Sequence, residues 1–347
     1  MDRPHILLTD PLHPDASERL AAWARVSTLP AGLSVEQSHS ALRDAAGAMH
    51  GIVVRRLLPA DLFERPLALR AVVRHGVGLD FIPMASATAH RIPVGNTPGV
   101  NANAVAEYVF AALLAHSRQL ASFDAQVRAG NWQARADAGK RTFELRGRAL
   151  GIVGFGAIGR RIAAIAQGGF DMHVATCTAT PSAVPSGITT LSLEALFSAS
   201  DFVVIACPLT EATRGMVDAR VLAHARPGAV LVNVGRGPVV VERDLAGALE
   251  AGRLAGAVLD VFETQPLPES SLLRRHPGVL MTPHLAGMTA EAERAMGLLA
   301  VDTLQALLRG ERPANVVNPQ VFANTDADTD THTIHPLQQP SGKETLS

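Results

Sequence analysis

Ala149 to Gly159 reads ALGIVGFGAIG, a short apolar run that passes into glycines at 154, 156 and 159. No other stretch constrains the fold as strongly. An apolar run, then G-x-G-x-x-G, then a helical segment is the opening of a βαβ unit. Gly154 permits the tight turn. Gly156 lets a pyrophosphate approach the backbone, and Gly159 lets helix and strand pack closely. Ala157 and Ile158 lie at the helix start, where free N–H groups and the helix dipole favour phosphate oxygens. The bare pattern is weak, and a structural glycine turn also satisfies it. The strand–turn–helix setting is what gives it weight.

The same alternation runs through most of the chain. After residue 159 the apolar runs HVATCT, DFVVIAC, GAVLVNV, LAGAVLD and GVLMT follow, most of them separated by helical segments. This predicts a doubly wound parallel sheet of at least six strands. Before residue 101, HILLTD, GIVVRR, LRAVVRH and RIPVGN read as four further buried strands. Ser34 to Gly47 has helical spacing, with Ser34 and Gln37 in capping-box positions. The fold class is therefore α/β, with two Rossmann-like doubly wound parallel-sheet domains.

Between the two sheets, NTPGVNANAVAEYVFAALLAHSRQLASF predicts a turn and one long helix, with Asn101 or Asn103 as N-cap. Glu107 within it reads as a paired or solvated acid. A helix is expected from Met288 to about Arg309, and Pro313 and Pro319 close the ordered chain. Residues 321–347 read as a disordered polar tail. His332 and His335 there are read as solvated rather than metal-binding, and no metal site is expected.

The 347 residues are 47% apolar and 18% charged, enough for two full cores, and with a net charge of −1 nothing argues for a nucleic-acid or membrane surface. No apolar stretch approaches the ~18 residues needed to span a bilayer, and the N-terminus lacks a secretory pattern. With only Cys177 and Cys207, a disulfide framework is not expected, and a reducing cytoplasm fits.

Polar residues gather where the later strands end. DFVVIA runs into Cys207-Pro208, GAVLVNV into Gly235-Arg236-Gly237, LAGAVL into Asp260, and GVLMT into Pro283-His284. Ligands of open α/β sheets bind at the carboxyl ends of the strands. An arginine between glycines suits a carboxylate, held by its planar fork. His284 is placed to act as acid or base. An acid usually stands about 20 residues beyond the glycine turn to bind a ribose hydroxyl. Here Thr178 is the nearest candidate. That removes one barrier to NADP, yet no Lys or Arg lies between Arg161 and Arg214 to attract its phosphate. The balance favours NAD and leaves NADP admissible.

Together these residues resemble the D-isomer-specific 2-hydroxyacid dehydrogenases, the family of D-3-phosphoglycerate dehydrogenase and hydroxypyruvate or glyoxylate reductase. The marks are RHGVGLDFI, NTPGVNANAVAEY, ELRGRALGIVGFGAIGRR, PLTEATRGMV, PGAVLVNVGRG, GRLAGAVLDVFE and TPHLAG, spread over residues 5 to 320. The resemblance implies a discontinuous, flavodoxin-like substrate domain (1–101 and 288–320) around an NAD(P)-binding domain (102–287), and a homodimer paired through the latter. It implies hydride transfer to a small 2-oxo acid, with Arg236 polarising the substrate and His284 moving the proton. It also implies that Asp260 binds the nicotinamide carboxamide and that Cys207 and Pro208 form the turn beneath the ring. Thr213, Val234, His284 and Gly287 complete the implied cofactor set. Val77 and Gly78 are implied as backbone donors to the substrate carboxylate, and Arg55 as a contact to a charged distal group. A surface ion pair is the competing reading for Arg55 and for Arg56.

One position departs from the family pattern. A glutamate is expected five residues after the strand-end aspartate, where it orients the histidine; here that residue is Gln265. In this the chain resembles formate dehydrogenases of the same superfamily, whose other motifs are not evident. The amide also lends weight to a rival class, a dinucleotide-sensing binding protein like the corepressors related to the family.

Overall fold

The computed structural model describes residues 3–323. From residue 324 on, including His332 and His335, the expected tail lies outside these residues. Its expected start at 321 is too early. A 3-10 turn spans Pro319–Phe322, because Val321 is buried and Phe322 packs onto a core cluster beneath Arg312.

The chain divides into two compact units, one of residues up to Thr97 together with those from Gly297 on, the other Pro98–Met296. The first unit holds a five-stranded parallel sheet of β1 (His5–Leu8), β2 (Arg25–Thr28), β3 (Gly51–Val54), β4 (Ala71–Arg74) and β5 (Val94–Gly95), in the order β2-β1-β3-β4-β5. Alternate residues of each strand face opposite layers. Leu7, Ile52, Val54 and Val72 enter one core with Leu42 and Phe63. Ile6, Leu8, Val53 and Val73 enter the other with Leu20, Val301 and Leu304. That is why these runs are apolar on both faces rather than alternating. The helix Val35–Ala46 begins at the expected capping box, with the Ser34 and Gln37 side chains each accepting the other's backbone N–H.

Four strands were expected here, and β2 is the fifth. RVST is an edge strand with three of its four residues exposed, so it carries no apolar run to betray it.

The second unit holds seven parallel strands: β6 (Ala149–Val153), β7 (His173–Cys177), β8 (Thr189–Thr190), β9 (Phe202–Ile205), β10 (Ala229–Asn233), β11 (Leu254–Leu259) and β12 (Val279–Met281). Their order is β12-β11-β10-β9-β6-β7-β8. The direction of winding reverses between β6 and β9, which is the switch point where doubly wound sheets bind ligands. Leu150, Ile152, Val204 and Val232 face one core with the helix Ala157–Phe170. Val153, Val203, Ile205 and Leu231 face the other.

The expected long helix is two, Ala102–Arg118 and Leu120–Arg128, because Gln119 sits in the left-handed region at φ 51°. Asn101 takes the N-cap position without capping through its side chain. Asn103 lies inside the helix, where its amide nitrogen donates to Glu107 and its oxygen accepts from Arg161. Glu107 is thus a paired, exposed acid.

Candidate active site

The glycine turn shows what each residue does. Gly154 has φ +95°, and a Cβ there would lie 2.7 Å from the backbone of Cys207. Any side chain would therefore be strained and would collide with the loop after β9. At Gly159 an added Cβ would lie 2.3 Å from the Gly154 carbonyl, so helix and turn meet only because this residue is bare. At Gly156 an added Cβ would meet nothing within 4 Å. No internal packing demands that glycine, and it has no side chain to cap the helix that starts at Ala157. The N–H groups of that helix start, with Ala157 and Ile158, fit a dinucleotide pyrophosphate. Thr178 follows β7, and its hydroxyl accepts the Thr180 N–H at 3.3 Å, shaping the turn where an acid is usual.

Cys207 is buried, and burial pushes its thiol up to about 11. It is a packing residue and no nucleophile at neutral pH. Thr213 serves the same loop, its hydroxyl donating to the Pro208 carbonyl at 2.7 Å. Val234 is buried, and its N–H donates to Ile205.

Arg236 leaves β10 between two glycines that the packing demands. A Cβ on Gly235 would lie 2.8 Å from the Cys207 carbonyl oxygen, and one on Gly237 1.9 Å from the Phe262 carbonyl carbon. The Asn233 side chain ties this turn, accepting the Gly235 N–H and donating to the Arg236 carbonyl, both at 3.1 Å. The guanidinium is half-buried and donates to Gly235 at 2.8 Å.

Asp260 is 1% exposed and organises the neighbouring loop. Its Oδ1 accepts the Thr282 hydroxyl at 2.6 Å and the Leu285 N–H at 2.8 Å, and its Oδ2 accepts the Ala286 N–H at 2.9 Å. Three charge-assisted bonds hold the chain on both sides of His284. Tyr108 extends the network, its hydroxyl 2.6 Å from that of Thr282, and burial raises the pKa of this phenol. His284 itself has φ 58°, a strained conformation for a non-glycine residue, costing on the order of 1–3 kcal/mol. The Asp260 network over-determines it. Held so, the imidazole Nδ1 lies 3.3 Å from Oε1 of Gln265. Both side chains stand in the wall of a cavity of about 600 Å³ lined also by Phe262, Leu267, Met281 and Pro283.

Glu263, the other acid of the LDVFETQ stretch, does not reach for the histidine. Its carboxylate accepts the Glu242 N–H at 2.9 Å. Gly287 stands against the amide of Asn101, where an added Cβ would lie 2.8 Å from Nδ2. Asn101 Oδ1 is buried and has no hydrogen-bond partner among the described residues. The sequence offered Asn101 only as a helix cap, and its place beside the His284 loop was not legible.

In the first unit, the Thr9 hydroxyl accepts the N–H groups of Arg55 and Arg56, at 2.7 and 3.1 Å. Arg56 forms an ion pair with Asp10 at 2.8 Å, and Arg55 donates to the Pro11 carbonyl at 3.1 Å. The carbonyls of Val77 and Gly78 accept from Asn96 and Arg74, so the hydrogen bonds fixing this loop run through its oxygens. Among the described residues no group of three or more His, Cys, Asp or Glu could hold a metal ion.

A seven-stranded parallel sheet with a phosphate-ready glycine turn and a histidine–amide pair at its strand ends is the build of a dinucleotide-dependent enzyme. Residues 110–286 match the family described as D-isomer specific 2-hydroxyacid dehydrogenase, NAD binding domain. The chain is 40% identical over 269 residues to a glyoxylate reductase of Pyrococcus furiosus, covering 76% of this chain and 80% of that protein. It is 35% identical to glyoxylate/hydroxypyruvate reductase B of Serratia proteamaculans, over 92% of this chain and 99% of that one. Among solved structures, an NADPH-dependent glyoxylate/hydroxypyruvate reductase of Sinorhizobium meliloti, in complex with NADP and malonate, is similar at a TM-score of 0.77 and 32% identity, over 92% of this chain and 98% of that one. The chain belongs to the D-isomer specific 2-hydroxyacid dehydrogenase family. It is an NAD(P)-dependent oxidoreductase acting on the CH–OH group of 2-hydroxy acids.

Proposed function

We propose that this chain reduces short 2-oxo acids of the glyoxylate and hydroxypyruvate kind and oxidises the corresponding D-2-hydroxy acids, with 3-phosphoglycerate as a further candidate. The observation that carries this is the contact between His284 and Gln265 on loops anchored by Asp260, with Arg236 at the neighbouring strand end. A nicotinamide dinucleotide, when bound, supplies or accepts the hydride. The protein's own groups do the rest. The Arg236 guanidinium takes the carboxylate and the C2 oxygen, stabilising charge as it develops there. Gln265 accepts the Nδ1–H of His284, which leaves Nε2 to deliver a proton to the C2 oxygen in reduction and to take it back in oxidation. Val77 and Gly78 serve the substrate carboxylate, and Arg55 serves a charged distal group.

The dimer belongs to the same reading. The helix Leu120–Arg128 buries none of its residues, and Leu120, Val127 and Trp132 are more than half exposed. Such a run of apolar side chains suits a second copy of the chain, and sedimentation gives the mass. No described helix is long and apolar enough to cross a membrane. We assign the protein to the cytoplasm, in keeping with two free cysteines.

The deciding experiment follows nicotinamide absorbance with glyoxylate, hydroxypyruvate and phosphohydroxypyruvate, using NADH and NADPH. Turnover with any of them supports the reading. Tight dinucleotide binding without turnover on any 2-oxo acid would favour a dinucleotide-sensing binding protein instead.

A further inference from the structure

Glu242 opens the helix Glu242–Glu250, and Glu263 lies two residues before Gln265. Each carboxylate holds the other's backbone. The Glu242 N–H donates to Glu263 Oε1 at 2.9 Å, and the Glu263 N–H donates to Glu242 Oε1. The helix has no other side-chain cap. A capping box makes such a reciprocal pair within one turn of chain. Here the partners are 21 residues apart, so the pair ties the helix start to the loop after β11.

Two acids facing each other is a costly way to make a cap. Burial raises the Glu242 carboxyl above the usual range, the bond from Glu263 N–H lowers it, and the Glu263 charge raises it again. A serine or threonine would cap the helix without that repulsion. What the glutamates add is reach, and what they reach is the Phe262–Glu263 peptide. The same peptide lies under Gly237, whose added Cβ would stand 2.0 Å from the Phe262 oxygen and 2.5 Å from the Glu263 nitrogen. One peptide unit therefore carries the clasp, supports the turn holding Arg236, and leads by two residues into Gln265.

We propose that Glu242 is a positioning residue for the reaction: by holding the Glu263 N–H it fixes the peptide that sets both the Arg236 turn and the Gln265 side chain against His284. The inference rests on the functional reading above. Catalytic groups need placement to a fraction of an ångström, supplied by neighbours that are themselves fixed.

The test compares Glu242→Ala, which removes the acceptor, with Glu242→Gln, which keeps an acceptor oxygen without charge. Wild type is assayed first with glyoxylate and hydroxypyruvate, and no turnover there would overturn the functional reading and this inference with it. Given turnover, Glu242→Ala should lower kcat by about tenfold, a small misplacement of the reacting groups. The dinucleotide Kd should stay within about twofold, because the glycine turn is untouched, and Glu242→Gln should restore most of kcat. Wild-type kcat in a folded Glu242→Ala would overturn the proposal, as would Glu242→Gln as impaired as the alanine variant. If Glu242→Ala does not fold, Glu242→Asp, one methylene too short to reach, replaces it. Lowered kcat at normal dinucleotide Kd supports the clasp, and unchanged kcat refutes it.

Discussion

The imidazole of His284 meets an amide oxygen, that of Gln265, at 3.3 Å, and the nearby carboxylate of Glu263 is spent on the Glu242 N–H. The amide fixes the tautomer as a carboxylate would, but brings no charge to stabilise the imidazolium. In the proposed mechanism, reduction of a 2-oxo acid needs His284 protonated, and oxidation needs it neutral. The Gln265→Glu variant should therefore sustain reduction to higher pH and begin oxidation only at higher pH. Gln265 is exposed, so solvent screens the new charge and the displacement should be about half a unit to one unit. The measurement is kcat/KM against pH in both directions. Limbs that stay where they are in a folded variant would mean that the amide does not govern the histidine.

Arg236 stands between glycines that the Cys207 and Phe262 backbones leave no room to replace, so its guanidinium is delivered from a rigid turn. Arg236→Lys keeps the charge and loses the planar fork. Catalytic efficiency should fall by about two orders of magnitude or more, the cost of one lost oxyanion donor, with dinucleotide affinity little changed. Near-normal turnover by the lysine variant would dismiss Arg236 as the anion clamp.

Asp260→Asn separates anchoring from chemistry. The carboxylate accepts two N–H groups and a hydroxyl, and a carboxamide has only one oxygen to offer. One buried donor at least loses its partner, at about 1–3 kcal/mol. The left-handed backbone of His284 then loses the contacts that hold it. Urea melts should show that loss, and kcat should fall with it. A variant as stable as wild type would remove Asp260 from the role of loop anchor.

What the sequence revealed and what it hid divide along physical lines. Strands buried on both faces, such as GIVV and AVLVN, announce themselves as apolar runs, and the glycine turn announces itself because Gly154 and Gly159 stand at close approaches that require bare backbone. The edge strand RVST was hidden because water covers most of it, and the break at Gln119 because no glycine or proline marks it. Gln265 was legible as the partner of His284 only through the family resemblance, which places such a partner five residues after Asp260. The pairs Glu242–Glu263 and Asp10–Arg56 join residues far apart in the chain, and periodicity carries no signal for side chains that meet across a fold.

On the proposed reading, cofactor choice turns on Thr178. β7 ends at Cys177, and the next residue offers a hydroxyl where a carboxylate would hold the ribose of NAD and repel the phosphate of NADP. Arg160 brings a cation to the segment that follows: its side chain reaches from the helix after the glycine turn, lies 5.1 Å over the Phe155 ring, and donates to the Ala183 carbonyl at 2.8 Å. The wild-type chain should therefore use NADPH as well as NADH, with efficiencies within about tenfold of each other. Thr178→Asp should lower kcat/KM for NADPH by about tenfold or more while sparing NADH, since a carboxylate beside a 2′-phosphate costs on the order of 1–3 kcal/mol. Arg160→Ala should lower NADPH efficiency more than NADH efficiency. Steady-state kinetics with each cofactor at saturating 2-oxo acid makes the comparison. If Thr178→Asp left the NADPH-to-NADH ratio unmoved, the ribose would lie elsewhere, and the turn after β7 would have no part in telling the two cofactors apart.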